Sequence, residues 1–318
     1  MNRIENMQNS KVLGVDMVKS VLTIPVEIQK YFEKLPQHYD LRLNHEILRL
    51  SMEIRDLIDP HNMISDAIRK KVSDNGYVII SGFPIDGDKP ETPILKIKEK
   101  PAEKFITEKI LIYLSALLGN PHAYEAENDG QFIHDLYPIK GNESVASGTG
   151  SEIDLEFHTE IAFDIDKPDY LLLTAVRSRE EQNVPTTLVN VSSVLACLSE
   201  SEINLLQGNH YFIRAPYSFS GGDDVYYLRA LVNSHGKTSY SFNFNSGVIH
   251  CRTQETKRLF EKVRELCNQY AFEAYLSPGT ALIIDNNKML HGRSLFKPKF
   301  DGKDRWLQRI YVKNKDII

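Results

Sequence analysis

Leu155-Glu156-Phe157-His158-Thr159-Glu160 is the stretch on which the reading of this chain turns. Read as a β-strand, its period-2 alternation sets His158 and Glu160 on one face and Phe157 and Thr159 on the other. Far downstream, Asp285-Asn286-Asn287-Lys288-Met289-Leu290-His291-Gly292-Arg293 carries a second imidazole. Two histidines and one carboxylate, with open positions opposite, make the facial triad of non-heme Fe(II) sites. In a barrel, neighbouring strands are close whatever their separation in sequence, so His291 can join the pair. Zinc also accepts two His and one Glu. The His-Glu-x-x-His of hydrolytic zinc sites is absent, however, and a strand-borne pair suits such a site less well. Alone, His-x-Glu is as readily a surface pair; its specificity comes from the second motif.

The sequence around this stretch is rich in short strands. Gly76–Pro84, Asp169–Val176, Thr186–Val191, His210–Arg214, Val225–Val232, Ser239–Phe244, Ala281–Asp285 and Trp306–Val312 combine β-branched and aromatic residues between turn formers. The run from Ala281 is read as a buried strand ending at His291. Gly221-Gly222, His235-Gly236 and Ser277-Pro278-Gly279-Thr280 mark turns. Few helices interrupt the series: Ser199-Glu200-Ser201-Glu202 resembles a capped helix start, and Thr253–Tyr275 reads as one long helix bearing Leu259, Phe260, Val263, Leu266 and Tyr270. Many short strands with few helices between them favour an antiparallel jelly roll over βαβ units.

Residues 1 to about 22 read as frayed. The remainder up to residue 75 is expected to be helical and to buttress the barrel. One helix follows Pro25 through Phe32. A second spans 43–58, with Ile47, Leu48, Met52 and Ile54 as its apolar stripe, and a third spans Met63–Asn75. Thr107–Leu118 adds a fourth, with Leu111, Leu114, Leu117 and Leu118 apolar and Gly119-Asn120-Pro121 as its stop. Residues 86–103 mix lysine with acids and proline and read as a solvated loop. Residues 122–151 are dense in turn formers, a pattern typical of a pocket wall or lid. Tyr217–Gly222 and Thr149–Ile153 are lid candidates that equally suit plain turns. The whole is read as one domain, 1–75 buttress and 76–318 core: mainly β with flanking α, a double-stranded β-helix (cupin-like jelly roll) buttressed by helices.

Composition sets bounds on function. The 318 residues are 42% hydrophobic and 25% charged, with mean hydropathy −0.34. No run approaches the roughly 20 apolar residues of a bilayer helix, and Met1–Ser20 lacks the apolar core of a secretory signal. A cytoplasmic protein with no membrane partner is expected. A net charge of −5 argues against a nucleic-acid surface. Three cysteines, Cys197, Cys251 and Cys267, suggest neither a disulfide framework nor a zinc knuckle. Homo-oligomerisation is left open.

An Fe(II) site of this type commonly takes a dicarboxylate co-substrate, whose far carboxylate wants a bidentate arginine. Arg305 and Arg309, in Asp304-Arg305-Trp306-Leu307-Gln308-Arg309, follow His291 and share a face if the segment is extended.

Together, the stretches 155–163, 285–293 and 304–309, with Gly82-Phe83-Pro84 and Ser147–Ser151, resemble the clavaminate synthase-like branch of the Fe(II)/2-oxoglutarate oxygenases. The resemblance runs from about Gly76 to Val312 and implies an enzyme using Fe(II), 2-oxoglutarate and O2. By it, His158, Glu160 and His291 ligate iron. Arg305 pairs with the C5 carboxylate of 2-oxoglutarate, assisted by Thr186 or Thr187, and Arg309 holds the α-carboxylate of an amino-acid substrate. Substrate side-chain contacts are implied near Glu127 and around Asn243 and Asn245, and Glu160 borders the substrate as well. Relatives place Asp where Asn243 and Asn245 stand, to meet a guanidinium, which turns the expectation from arginine towards lysine. Glu127, Asp129 or Asp135 is then available to an ammonium, though each also suits a turn or cap.

The implied reaction is oxidative decarboxylation of 2-oxoglutarate to succinate and CO2, coupled to hydroxylation of an unactivated carbon of a free L-amino acid. Glu160 favours hydroxylation over halogenation, because related halogenases lack a carboxylate ligand there. The alternatives are a desaturase or a carrier-bound amino-acid oxygenase on the same site, or a jelly-roll binding protein without turnover.

Overall fold

A computed structural model of the chain describes residues 20–36, 38–59, 62–97, 105–179, 181–182, 184–234 and 240–314. In order, its elements begin with β1 (Val21–Thr23), α1 (Val26–Glu33), α2 (Asn44–Ile58), α3 (Met63–Asn75), β2 (Tyr77–Ser81), α4 (Ile106–Leu118), β3 (Gly119–His122) and β4 (Ile133–Leu136). There follow β5 (Leu155–His158), β6 (Tyr170–Arg177), β7 (Thr186–Asn190), α5 (Val191–Leu195), α6 (Glu200–Gln207), β8 (Tyr211–Arg214), α7 (Tyr217–Ser220) and β9 (Tyr226–Arg229). The last are β10 (Val232–Ser234), β11 (Tyr240–Phe242), β12 (Ile249–Cys251), α8 (Gln254–Tyr270), β13 (Phe272–Ala274), β14 (Ala281–Asp285), β15 (Met289–Arg293) and β16 (Trp306–Asn314).

Two sheets face each other. The larger has the order β1-β2-β14-β6-β16-β3, with β4 also paired to β16; only its β1–β2 contact is parallel. The smaller has the order β13-β7-β15-β5 and is antiparallel throughout. Alternation along each strand divides the core into layers. Tyr77, Leu171, Leu173, Leu282 and Leu307 point inward and meet Leu188 and Met289 of the smaller sheet. Their neighbours Val78, Leu172, Ile283 and Ile310 point outward against α1–α4. Because the large sheet is covered on both faces, its strands read as unbroken apolar runs. On the far side of the smaller sheet, Val189 and Leu290 pack with Leu259, Phe260, Val263 and Cys267 of α8. This is the jelly-roll core flanked by helices. Among the described residues, no helix is long and apolar enough to cross a membrane.

Several local expectations give way to packing. The buried stripe of α2 is Ile47, Leu50, Ile54 and Ile58, while Leu48 and Met52 are exposed; the helix is rotated so that its 3.6-residue period meets α4. Val21–Thr23 is not frayed but pairs with Ile79–Ser81. Gly119–His122 stops α4 and continues as β3, laid so close to β16 that a Cβ on Gly119 would sit 1.9 Å from the Lys313 carbonyl oxygen. The long late helix ends at Tyr270, and Phe272–Ala274 forms a strand on β7. The run 225–232 divides between β9 and β10, which join different sheets. Residues 1–19, the His235-Gly236 turn, Ser239, residues 98–103 of the solvated loop and 315–318 lie outside the described residues.

Two further differences bear on the site. The strand from Ala281 ends at Asp285; a turn over 286–288 then carries the chain into the opposite sheet, where Met289–Arg293 begins anew. The strand from Leu155 ends at His158, so Glu160 lies in a turn beyond it. Ile161, just after, takes a left-handed φ of 54°.

Candidate functional site

His158 and His291 are cross-strand partners on β5 and β15, which puts their side chains on one face. Their ring centroids are 4.2 Å apart. The neighbouring residue must be glycine: a Cβ on Gly292 would stand 2.6 Å from the Leu155 carbonyl oxygen. Glu160 reaches the same point from its turn. Glu160 Oε1 lies 3.2 Å from His291 Nε2 and 4.0 Å from His158 Nε2. The three ligand atoms fall within 4.8 Å of one another. His158 Nδ1 donates to the Glu156 carbonyl at 2.8 Å, fixing the tautomer that leaves Nε2 with a lone pair toward the cluster. Two imidazole nitrogens and one carboxylate oxygen at this spacing suit a divalent first-row metal.

Arg309, on the inner face of β16, closes the cluster on the other side. Its Nη1 donates to Glu160 Oε1 at 3.3 Å. Its Nη2 donates to Glu127 and, at 3.0 Å, to His134 Nδ1. His134 Nε2 donates to the Gln131 carbonyl at 2.9 Å, which leaves Nδ1 free to accept. The Tyr311 hydroxyl donates to Glu160 Oε2 at 2.9 Å. One carboxylate oxygen of Glu160 thus faces the imidazoles while the other is tied back. Among the described residues, Glu127 Oε2 is buried without a partner.

The electrostatics follow from this enclosure. Burial works to raise the Glu160 pKa, but Arg309, His291 and His158 together outweigh it and hold the carboxyl well below the usual range. Burial, reinforced by His291 and Arg309, pushes His158 from 6.5 down to about 4. Burial and the two carboxylates push the Tyr311 phenol well upward, so it stays a donor. Between pH 6.5 and about 4 an unfolded imidazole takes a proton that folded His158 refuses. The unfolded chain then binds more protons, so stability falls as pH falls through that window. The depressed Glu160 pKa acts in the same direction, since its contribution is lost on acidification. Thermal melts of the metal-free protein are expected to drop across this range, and His158→Asn is expected to flatten the slope.

Arg305 precedes β16 and is half-buried. Among the described residues it has no hydrogen bond or ion pair, and burial with the nearby Arg293 cation lowers its guanidinium to about 9. Its position is set by Asp304, whose carboxylate caps the backbone N–H groups of Lys299 at 3.0 Å and Phe300 at 2.7 Å. Arg293 donates to the carbonyls of Gly150 and Ile153, pinning part of the irregular 122–151 segment. An unpaired cation beside a second one is a place for an anion. Thr186 is the cross-strand partner of Arg293 and shares the inner face with Leu188 and His291. Thr187 is opposite Gly292, on the outer face with Val189.

The structure divides the remaining sequence candidates. It brings Glu127 to Arg309. Asn245 lies beside His158 through an isolated β-bridge. Asn243 is not at the cluster: its amide donates to the Ala230 carbonyl at 3.3 Å, and it lines a separate cavity of about 730 Å³ with Lys167 and Asp285. Asp135 is committed to Trp306 Nε1 at 2.9 Å and Gln308 Nε2 at 2.8 Å. Asp129 is an exposed turn residue with φ 55°, and so meets the turn alternative given for it above. Tyr311, His134 and Arg293 were not among the sequence candidates. Tyr311 was within reach, since it stands two residues after Arg309 and therefore on its face.

Comparisons with known proteins give the chain's family and its structural relatives. Residues 32–311 match the sequence profile of the taurine catabolism dioxygenase TauD, TfdA family. Clavaminate synthase 2 of Streptomyces clavuligerus is 30% identical over 244 residues, covering 76% of this chain and 75% of its own. L-lysine 3-hydroxylase of Catenulispora acidiphila is 27% identical over 245 residues, covering 74% and 67%. In fold, the chain superposes on asparagine oxygenase with a TM-score of 0.84 at 21% identity, covering 93% of this chain and 94% of that one. The non-heme iron oxygenase OrfP, solved in complex with Fe and alpha-ketoglutaric acid, gives 0.79 at 26% identity, covering 92% and 93%.

Proposed function

The chain belongs to the taurine catabolism dioxygenase TauD, TfdA family, and from that premise we propose that it hydroxylates a free L-amino acid, with lysine the preferred substrate. It is an Fe(II)- and 2-oxoglutarate-dependent oxygenase of amino acids. The observation that carries the proposal is the convergence of His158, Glu160 and His291 beside a half-buried Arg309. In this reading the three residues hold Fe(II), which when bound supplies the O2 chemistry and the oxidation of the substrate carbon.

The protein's own groups bind and orient. Arg305 takes the far carboxylate of 2-oxoglutarate, assisted by Thr186, which lies across from Arg293 on the inner face. Arg309 pairs with the substrate α-carboxylate, and Tyr311 keeps Glu160 turned so that one oxygen faces the metal position. The unpartnered Glu127 Oε2 is an acceptor for a substrate ammonium. Asn245 offers an amide where a guanidinium would ask for a carboxylate, which favours lysine over arginine. A relative named L-lysine 3-hydroxylase is in keeping with that choice.

The test is succinate formation with Fe(II), ascorbate and 2-oxoglutarate over a panel of free amino acids, read with product mass. Substrate-dependent succinate and a product heavier by one oxygen atom are expected, greatest with lysine. Succinate at background across the whole panel defeats the free-amino-acid reading, and a better substrate than lysine defeats the finer one.

A second expectation separates the arginines. Arg305→Gln should raise the KM for 2-oxoglutarate by at least about 30-fold, the equivalent of about 2 kcal/mol for an unpaired charge. Thr186→Val should raise it about 2- to 10-fold, the range of one hydrogen bond. Thr187→Val, on the outer face, should leave it unchanged.

A further inference from the structure

Glu160 presents an unusual problem of support. Its strand has ended, the next residue is left-handed, and yet its carboxylate must meet two imidazoles anchored on strands. The side chain of Asn286 supplies what the missing strand would have given. Asn286 Oδ1 accepts the Glu160 N–H at 2.8 Å, and Asn286 Nδ2 donates to the Glu160 carbonyl at 3.1 Å. This reciprocal pair is the one a neighbouring strand makes with a single residue. Nδ2 also donates to the Pro168 carbonyl at 2.8 Å, closing the loop that Glu160 opens. The side chain is fully buried, at 0% exposure. On the other side, Thr159 N–H donates to Phe244 O at 2.8 Å, so the turn is clamped from both edges.

Asn286 is also five residues ahead of His291, in the turn that carries the chain from one sheet to the other. Its backbone N–H is itself held by the Asp169 carbonyl at 2.8 Å. We propose that Asn286 is the positioning residue of the metal site, setting the Glu160 carboxylate in register with His291 through the Glu160 backbone. It differs in kind from Arg309 and Tyr311, which touch the carboxylate itself. Asn286 is neutral and, among the described residues, its side chain hydrogen-bonds to main chain only, so its effect is geometric and leaves the charge of the cluster alone. The inference rests on the metal-site reading above.

Calorimetric titration of Co(II) into the metal-free protein tests it without turnover. Wild type is expected to bind and His158→Ala to lose binding, which checks the site itself. Asn286→Ala and Asn286→Asp should bind about 10- to 100-fold more weakly, the range for residues that orient a ligand. Asn287→Ala is the control. It lies half-buried on the same turn, with its amide on Asp169 Oδ1 at 3.3 Å, and should stay within about twofold of wild type. Asn286 variants that melt cooperatively but bind within about twofold of wild type overturn the proposal. So does a loss of fold in both, which would make Asn286 a core residue only. Wild type that takes no Co(II) sinks the metal reading, and this inference with it.

Discussion

His291→Ala is expected to lower substrate-dependent succinate formation by at least about a thousandfold, because a bound metal supplies several kcal/mol of transition-state stabilisation. His291 is 5% exposed, and its Nε2 stands 3.2 Å from Glu160 Oε1 with Nδ1 unpartnered among the described residues. Truncating this buried ring removes its packing and its bond to Glu160, so the metal-free variant should melt cooperatively but be about 0.5–3 kcal/mol less stable than wild type, too small a change to account for the loss of metal binding and turnover. Chelation makes a companion test. Stripping the metal from wild type should abolish activity, and adding Fe(II) should restore it, whereas the variant should not respond. A variant that turns over normally would return the chain to the reading of a jelly-roll binding protein that keeps its pocket without chemistry.

Arg309→Ala should have the largest effect on stability. Its guanidinium is paired with two carboxylates, with side-chain exposures of 12% for Arg309, 25% for Glu127 and 10% for Glu160. Removing the cation leaves both anions without the charge that balances them, Tyr311 remaining as a neutral donor, and such a deletion costs up to about 3–5 kcal/mol. The same change removes the group proposed to hold the substrate carboxylate, so KM for the amino acid should rise together with the loss in melting temperature. Two variants separate the effects. Arg309→Lys keeps the charge but not the fork that reaches Glu160, Glu127 and His134, so it should recover part of the stability and little of the KM. The pair Arg309→Ala with Glu127→Gln removes one stranded charge and should regain stability with no gain in substrate binding. A normal KM in folded Arg309→Ala would remove the arginine from the substrate site.

The strands of the large sheet were legible because they are buried on both faces. Ala281–Asp285 and Tyr170–Arg177 are apolar at nearly every position, and no choice of register changes that. The α2 stripe was misread because Leu48 and Met52 are as apolar as Leu50 and Ile58; only contact with α4 says which set is covered. Helix α8 was read too long because Phe272 and Ala274 continue its apolar composition. They form a strand because β7 offers an unpaired edge, and a partner from elsewhere in the chain leaves no mark in local sequence.

The candidate ligands His158, Glu160 and His291 and the two arginines were legible in the sequence, since chemistry restricts which side chains can meet a metal or a carboxylate. The sequence also determined the jelly roll, through the number and brevity of its strands. The tertiary structure alone decided how the pieces meet. It placed Glu160 in a turn instead of on the strand face, set Thr186 inward and Thr187 outward, and took Asn243 to another cavity. It also gave Asn286, which stands in the second motif but has no role assigned there, the backbone of Glu160 to hold. Those outcomes depend on pairing between segments distant in the chain, such as Thr186 with Arg293 and Glu160 with Asn286. Backbone donors and acceptors must be satisfied wherever the fold buries them, and the nearest partner in space is not one the sequence places nearby.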